Sequence, residues 1–341
     1  MNTFLRRTST AWQRFWFEPQ STSTLALFRI AFGLVVTAWT LSLTPNLLAF
    51  LGPDGIEPDS FGRAAGEWGL LTGTSGPTAV VAVYLGTLAG AVALTVGWHA
   101  RIAAVVVFVG IVPIEQRNAL ISNSGDGLLR NLAFYCMLAP SGAALSLDRL
   151  RTARHAFWQF PERAPWALRL VQIQVSVGYL ATVWQKLQGA TWRDGTAVAY
   201  ALRMDDVHRL PTPEFLTRSP VTIEVLTFGT LALELALGIL VWNRVLRPWV
   251  MALGIVMHIT IEYSIVVGFF GMAMLVAYLA FLSPVTADRL IQAARDRCTG
   301  GGARIDEPRG SALAIPPRPG VDHAAPRVSP CRSSAARRPA R

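Results

Sequence analysis

Lys186 is the only lysine in a sequence that holds 31 basic side chains, all the others being arginine. It closes a long apolar segment, and reading back from it at helical spacing gives Thr182, Tyr179, Ser176 and Gln172, a polar stripe on one face. A lysine taken out of water loses its proton more readily, and the neutral amine is a base. Arginine has no such neutral form in proteins. A plainer role fits equally well, a lysine at a helix end whose stem is buried and whose ammonium snorkels to water. His258 and Glu262 stand at i, i+4, close enough to bond each other, and a polar pair at the membrane surface explains them as well as chemistry does. Asp126 and Arg130 repeat the spacing just after Asn123, and Asp126 also suits the positive end of a helix dipole. Arg193 and Asp194 follow the lysine in a turn behind Trp192. The sequence carries no phosphate loop, nucleophile elbow or zinc-ligand spacing, and Cys136, Cys298 and Cys331 have no metal or redox spacing.

These residues are set in a membrane composition. Hydrophobic residues make up 52% and charged residues only 15%, against about 25% charged in soluble domains. Runs such as 78–98 and 268–282 are long and almost free of charge. The fold class is therefore an all-α polytopic membrane protein, a bundle of about eight transmembrane helices. The spans are expected near 24–43, 78–98, 101–114, 128–140, 167–188, 221–242, 247–262 and 265–283. The net charge of +10 gathers in the ends and loops. That is the arginine distribution of a membrane protein, not of one that binds nucleic acid. Residues 1–23 read as a cytoplasmic amphipathic segment and 24–284 as the transmembrane domain. Residues 285–341, with eleven arginines and much Pro, Gly, Ser and Ala, read as a disordered cytoplasmic tail. No cleaved signal peptide is predicted. An even number of spans and the arginine-rich ends agree in placing both termini in the cytoplasm. The acidic stretch at 50–76 then lies outside, in the inner membrane of a bacterium.

That topology brings Asn123 and Asp126, Lys186, and His258 with Glu262 out on the same outer face, where one cavity is expected to gather them. Two other charges fall inside spans. Arg29 lies roughly 8 Å and Glu234 roughly 12 Å from the cytoplasmic end, counting about 1.5 Å per residue. The expectation is a buried scaffold pair tying the first span to the sixth, since unpaired intramembrane charges cost about 2.5–3.5 kcal/mol each.

LALFRIAFG (25–33), LGPDGIEP (51–58), NSGDGLLRNLAFYCMLAPSGAALSLD (123–148), YLATVWQKLQGATWRDG (179–195) and LELALGIL (233–240) occur in an order that resembles the horizontally transferred transmembrane (HTTM) domain. This is the membrane module of vitamin K-dependent gamma-carboxylase and its bacterial relatives, and the resemblance covers roughly 20–290. It implies an outward-facing site in which Lys186 deprotonates a reduced quinone of the vitamin K hydroquinone kind. Oxygenation to an epoxide follows, and carboxylation of a glutamate can be coupled to it. It implies a catalytic place for His258 as well, and Asn123, Asp126, Tyr179, Arg193, Asp194 and Glu262 are expected in support. Gln185 stands where the carboxylase has a lysine, and Gly125 or Asp126 where it has a histidine. The lumenal region that grips a protein substrate has no counterpart after residue 285. The implied partners are membrane lipids, the quinone, and a secreted peptide or protein substrate. Two other classes fit the same residues: a non-catalytic membrane protein serving maturation, export or immunity of a secreted peptide, and a quinone-linked oxidoreductase subunit.

Overall fold

A computed structural model describes residues 2–57, 70–71, 76–118, 120–204, 209–210 and 213–298. Met1–Arg295 forms one compact unit, which holds every helix described here apart from the last three residues of the C-terminal one. Much of the acidic stretch at 50–76 and all of 299–341 lie outside the described residues.

The chain enters through an amphipathic helix, α1 (Asn2–Phe17), then a two-residue strand β1 (Gln20–Ser21) paired antiparallel with β2 (Glu162–Arg163). Next come α2 (Ser23–Ser42), a short α3 (Leu47–Leu51), α4 (Pro77–Val96), α5 (Ala100–Arg117) and α6 (Ser124–Leu138). A short α7 (Leu147–Thr152) precedes α8 (Trp166–Gln188), whose end carries Lys186. Three small helices follow, α9 (Ala190–Arg193), α10 (Ala197–Ala201) and α11 (Glu214–Arg218). The chain then runs through α12 (Pro220–Ile239), α13 (Arg247–Ser264), α14 (Phe270–Tyr278) and α15 (Pro284–Cys298).

Every one of the eight expected segments is a helix, but their lengths are unequal. Among the described residues three stretches are long and apolar enough to cross a membrane: Ser23–Leu51, Pro77–Val96 and Pro220–Trp242. A fourth exists only if Phe270–Phe281 and Pro284–Arg297, bent by 110° at their junction, count as one broken span. The last expected helix is the clearest departure. Its ordered part, α14, has nine residues, about 14 Å of rise against a hydrocarbon core of about 30 Å. It is also the most enclosed, with Gly271, Ala273, Met274, Val276, Ala277 and Tyr278 all buried. It touches α2, α6, α8 and α13. The expected tail needs correcting as well, because its first residues, 285–298, belong to α15.

Two packed groups position the site. α2, α4, α5 and α6 lie side by side in one, and α8 pairs with α12 in the other. Local chemistry sets the joints. Gly97 closes α4 in the left-handed region at φ 72°, where glycine carries no Cβ penalty, and its amide and that of Trp98 bond back to Leu94 and Ala93. A Cβ there would also sit 2.5 Å from the guanidinium of Arg29.

Candidate functional site

The polar stripe of α8 faces protein. Gln172 donates to the Ala280 carbonyl at 2.6 Å, and the Trp242 indole N–H donates to the Ser176 hydroxyl at 2.8 Å. Tyr179 Oη shares a 2.7 Å hydrogen bond with His258 Nε2 and a second one with Tyr278 Oη. Thr182 turns back on its own helix to the Gly178 carbonyl. At the end of the stripe Lys186 Nζ donates to Glu234 Oε1, while the face of the Trp192 ring lies 4.6 Å from the ammonium.

Helix register explains this arrangement. Going out along α8 from Ser176 to Leu180 to Lys186, the partners retreat from Trp242, in the turn just after α12, to Gly238 and Glu234 on α12. The two helices are antiparallel and matched turn for turn, so Glu234 stands at the level of the lysine. The expected Arg29–Glu234 pair is therefore wrong. Counting depth from each helix's own end had assumed that all helices begin at the same height, whereas α12 starts well beyond the end of α8. Arg29 is fully buried and donates instead to the carbonyls of Ser141, Ala144 and Leu145, closing the turn after α6.

The result is a cluster of Lys186, Glu234, Tyr179, Tyr278 and His258, carried by α8, α12, α13 and α14. Tyr179, Tyr278, Glu234 and His258 are buried, and the Lys186 side chain keeps 20% of its exposure. The charge of Lys186 acts on His258, and that of Glu234 on both tyrosines. Two buried atoms in the cluster have no protein partner, Glu234 Oε2 and His258 Nδ1. A carboxylate oxygen and an imidazole nitrogen left bare among otherwise satisfied groups are places where a ligand's hydroxyls find partners.

The other expected site residues lie elsewhere. Asn123 and Asp126 form a capping box: Asn123 Oδ1 accepts from the Gly125 amide at 2.7 Å, and Asp126 Oδ2 from the Asn123 amide at 2.9 Å. The second Asp126 oxygen accepts from the Trp39 indole at 2.8 Å. Both line a cavity of about 380 Å³ with Trp39, Glu115, Gly268 and Phe269, and neither Lys186 nor His258 reaches it. The single expected cavity is thus two neighbouring places. Phe270, at the start of α14, borders both, with Gly125 against its backbone and its ring centroid 5.7 Å from that of His258. Glu262 pairs with Arg209 at 2.8 Å and keeps a second buried oxygen unpartnered. Arg193 and Asp194 are exposed. The member of that turn that reaches the lysine is Trp192.

The sequence alone pairs Glu234 with Arg29 instead of Lys186, gives Trp192 no part beyond its turn, and does not single out Tyr278 within its apolar run. Only Tyr278 left no signal, because its run has no polar periodicity.

Fold and cluster together define a helical membrane protein with an ionisable group enclosed between helices. The sequence matches the HTTM domain over residues 17–285, and the chain belongs to that family. The HTTM domain is the membrane module of vitamin K-dependent carboxylase-like proteins. Neither a curated protein nor a solved structure gives a match to this chain.

Proposed function

We propose that this protein is a carboxylase-like membrane enzyme that acts on a reduced quinone, with Lys186 as its base. The observation that carries the reading is the placement of the chain's only lysine against Glu234, above buried Tyr179, Tyr278 and His258. The ammonium of Lys186 can pass its proton to Glu234, leaving Nζ as the proton acceptor. Glu234 is placed to receive that proton, being buried and hydrogen-bonded to Nζ. Tyr179 orients His258 through Nε2, so that Nδ1 is the nitrogen offered to a ligand. The residues fit a reduced quinone: the Trp192 ring offers a flat face, and Glu234 Oε2 and His258 Nδ1 are buried acceptors or donors in want of a partner. When bound, the reduced quinone supplies acidic hydroxyls and the electrons for reaction with oxygen. Coupled carboxylation of a glutamate in a secreted peptide or protein is the extension of the same proposal. It has eight helical segments, both termini in the cytoplasm, and the lysine end of α8 facing out of the cell membrane, in keeping with the arginine-rich ends.

One observation favours a second, non-catalytic reading. The Lys186–Glu234 pair already satisfies its own charges and ties α8 to α12, as a scaffold serving maturation, export or immunity of a secreted peptide would require. Purified protein incubated with vitamin K hydroquinone and oxygen separates the readings. Epoxide formed by the natural chain and lost in Lys186→Arg supports the enzyme. A folded protein that forms none supports the scaffold, and quinone without epoxide points to an oxidoreductase subunit.

A further inference from the structure

A second built cavity lies at the other end of α8. Arg169 stands 17 positions before Lys186, roughly 25 Å away along the helix axis at about 1.5 Å per residue. There a cavity of about 420 Å³ opens between the β1–β2 pair, the first turns of α2 and α8, the α12–α13 connection and the start of α15. Four arginines from four segments line it: Arg163, Arg169, Arg244 and Arg247. No aspartate or glutamate does. Two carboxylates border the cavity without lining it: Glu162, beside Arg163 in β2, and Asp288, which accepts from the Ser21 hydroxyl at 3.2 Å.

None of the four guanidinium groups is ion-paired among the described residues. Arg163 Nη1 donates to the carbonyl of its neighbour Glu162 at 3.3 Å, and two others are anchored to separate segments. Arg169 Nε donates to the Phe15 carbonyl at 3.2 Å and Nη1 to Gln172 at 2.9 Å, with the guanidinium 4.8 Å from the Phe15 ring centroid. Arg247 Nε donates to the Val241 carbonyl at 2.7 Å. This leaves Arg169 Nη2 and both Arg247 Nη atoms without a protein acceptor among the described residues. The like charges of Arg244 and Arg247 act on Arg169 through space. A cluster of fixed, mutually repelling cations with no carboxylate in its wall lowers its energy when an anion enters.

Thr22 gives an independent sign of a ligand. It lines the same cavity, is 3% exposed, and its Oγ1 is buried with no hydrogen-bond partner. It is the N-cap residue of α2, a position where a threonine hydroxyl ordinarily accepts from a helix amide, yet it caps nothing. A hydroxyl donor sharing a cavity with several guanidinium forks matches an oxyanion with more than two acceptor oxygens.

We propose that this cavity binds a phosphate group, with Arg169, Arg247 and Thr22 holding it and Arg163 and Arg244 at its exposed rim. The guanidinium fork matches phosphate geometry, and the volume exceeds what a single-atom anion fills. Leu25 and Phe281 in the wall give the cavity an apolar side. Phosphate chemistry has two sources, the headgroup of an anionic phospholipid in the adjoining leaflet and a soluble phosphate compound.

The test uses the full chain in detergent and in nanodiscs, comparing the natural protein with Arg163→Gln/Arg244→Gln and, separately, Thr22→Val. The rim double variant removes exposed or rim charges, and the threonine variant keeps shape while removing the hydroxyl. In detergent, binding of short-chain phosphatidylglycerol is measured against short-chain phosphatidylcholine. Inorganic phosphate is compared with chloride at equal ionic strength. The site requires that phosphatidylglycerol or phosphate bind in preference to its control, and that the rim double variant weaken that binding about ten-fold or more. Thr22→Val should weaken it several-fold with the melting temperature of the unliganded protein unchanged. A preference confined to phosphatidylglycerol assigns the lipid source, and one confined to inorganic phosphate the soluble source. No preference in either arm, or variants that bind as the natural chain does, overturns the proposal. Nanodisc melts with and without phosphatidylglycerol repeat the comparison in a bilayer.

Discussion

Lys186 and Glu234 meet between α8 and α12, each the other's only charged hydrogen-bond partner among the described residues. The carboxylate is the more enclosed of the two, with 8% of its side chain exposed against 20% for the lysine. Removing the lysine therefore leaves the more costly orphan. Losing one partner of a buried pair costs about 3–5 kcal/mol, and the residual exposure of Lys186 puts this pair at the lower end. Lys186→Met should lower the thermal midpoint clearly, and Lys186→Met/Glu234→Leu should recover most of the loss. Thermal melts of the single and double variants in detergent measure it. Losses that simply add would mean the pair is not coupled.

The Tyr179 hydroxyl is shared by two partners, and among the described residues the Tyr278 hydroxyl has only Tyr179. Tyr179→Phe leaves both His258 Nε2 and the Tyr278 hydroxyl buried without it. Tyr278→Phe leaves the Tyr179–His258 bond in place. At about 1–3 kcal/mol for each orphaned group, Tyr179→Phe should be the more destabilising of the two. If the proposed chemistry holds, it should also reduce epoxide formation more. Equal melting temperatures for the two variants would show that the bridging bond contributes little.

Arg29 serves the backbone, and this makes a separate expectation. Its three carbonyl acceptors lie at 141–145, in the turn after α6, and none is on α12. Arg29→Met should be strongly destabilising because two buried carbonyls and a half-buried one lose their donor. Combined with Glu234→Gln, its effect should add within about 0.5 kcal/mol, as for independent sites. Rescue of one change by the other would restore the pairing that the geometry rejects.

The helices were legible because apolar run length and breakers such as Gly97 act locally. Tyr179 could be placed on an inward face for the same reason, since period 3.6 is a property of one helix. Glu234 could not be paired, because its partner depends on how far α12 slides along α8. That offset is a relation between two helices separated by 31 residues of chain, whose described part includes α9, α10 and α11, and no periodicity within one helix reports it. Asn123 and Asp126 illustrate the opposite error. Their spacing is a capping signature, and the simple local reading describes them better than a shared cavity does.

Gly254 offers the sharpest test of the cluster's packing. It is buried on α13 one turn before His258, and a Cβ there would lie 2.5 Å from the Tyr278 hydroxyl. Helix propensity alone favours Gly254→Ala by about 0.5–1 kcal/mol. Overpacking opposes it by about 1–3 kcal/mol, because Tyr278 sits on buried α14 and cannot swing clear without leaving Tyr179. Overpacking should win, and Gly254→Ala should lower the melting temperature. The offending atom is the hydroxyl oxygen, so the same change made in a Tyr278→Phe background should carry a much smaller penalty. It should not vanish, since Leu237 methyl groups remain at 3.0 and 3.1 Å from the new carbon. Melts of the four proteins read the difference directly. An alanine penalty that is the same in both backgrounds would mean that the clash lies with Leu237 and that the tyrosine is free to move.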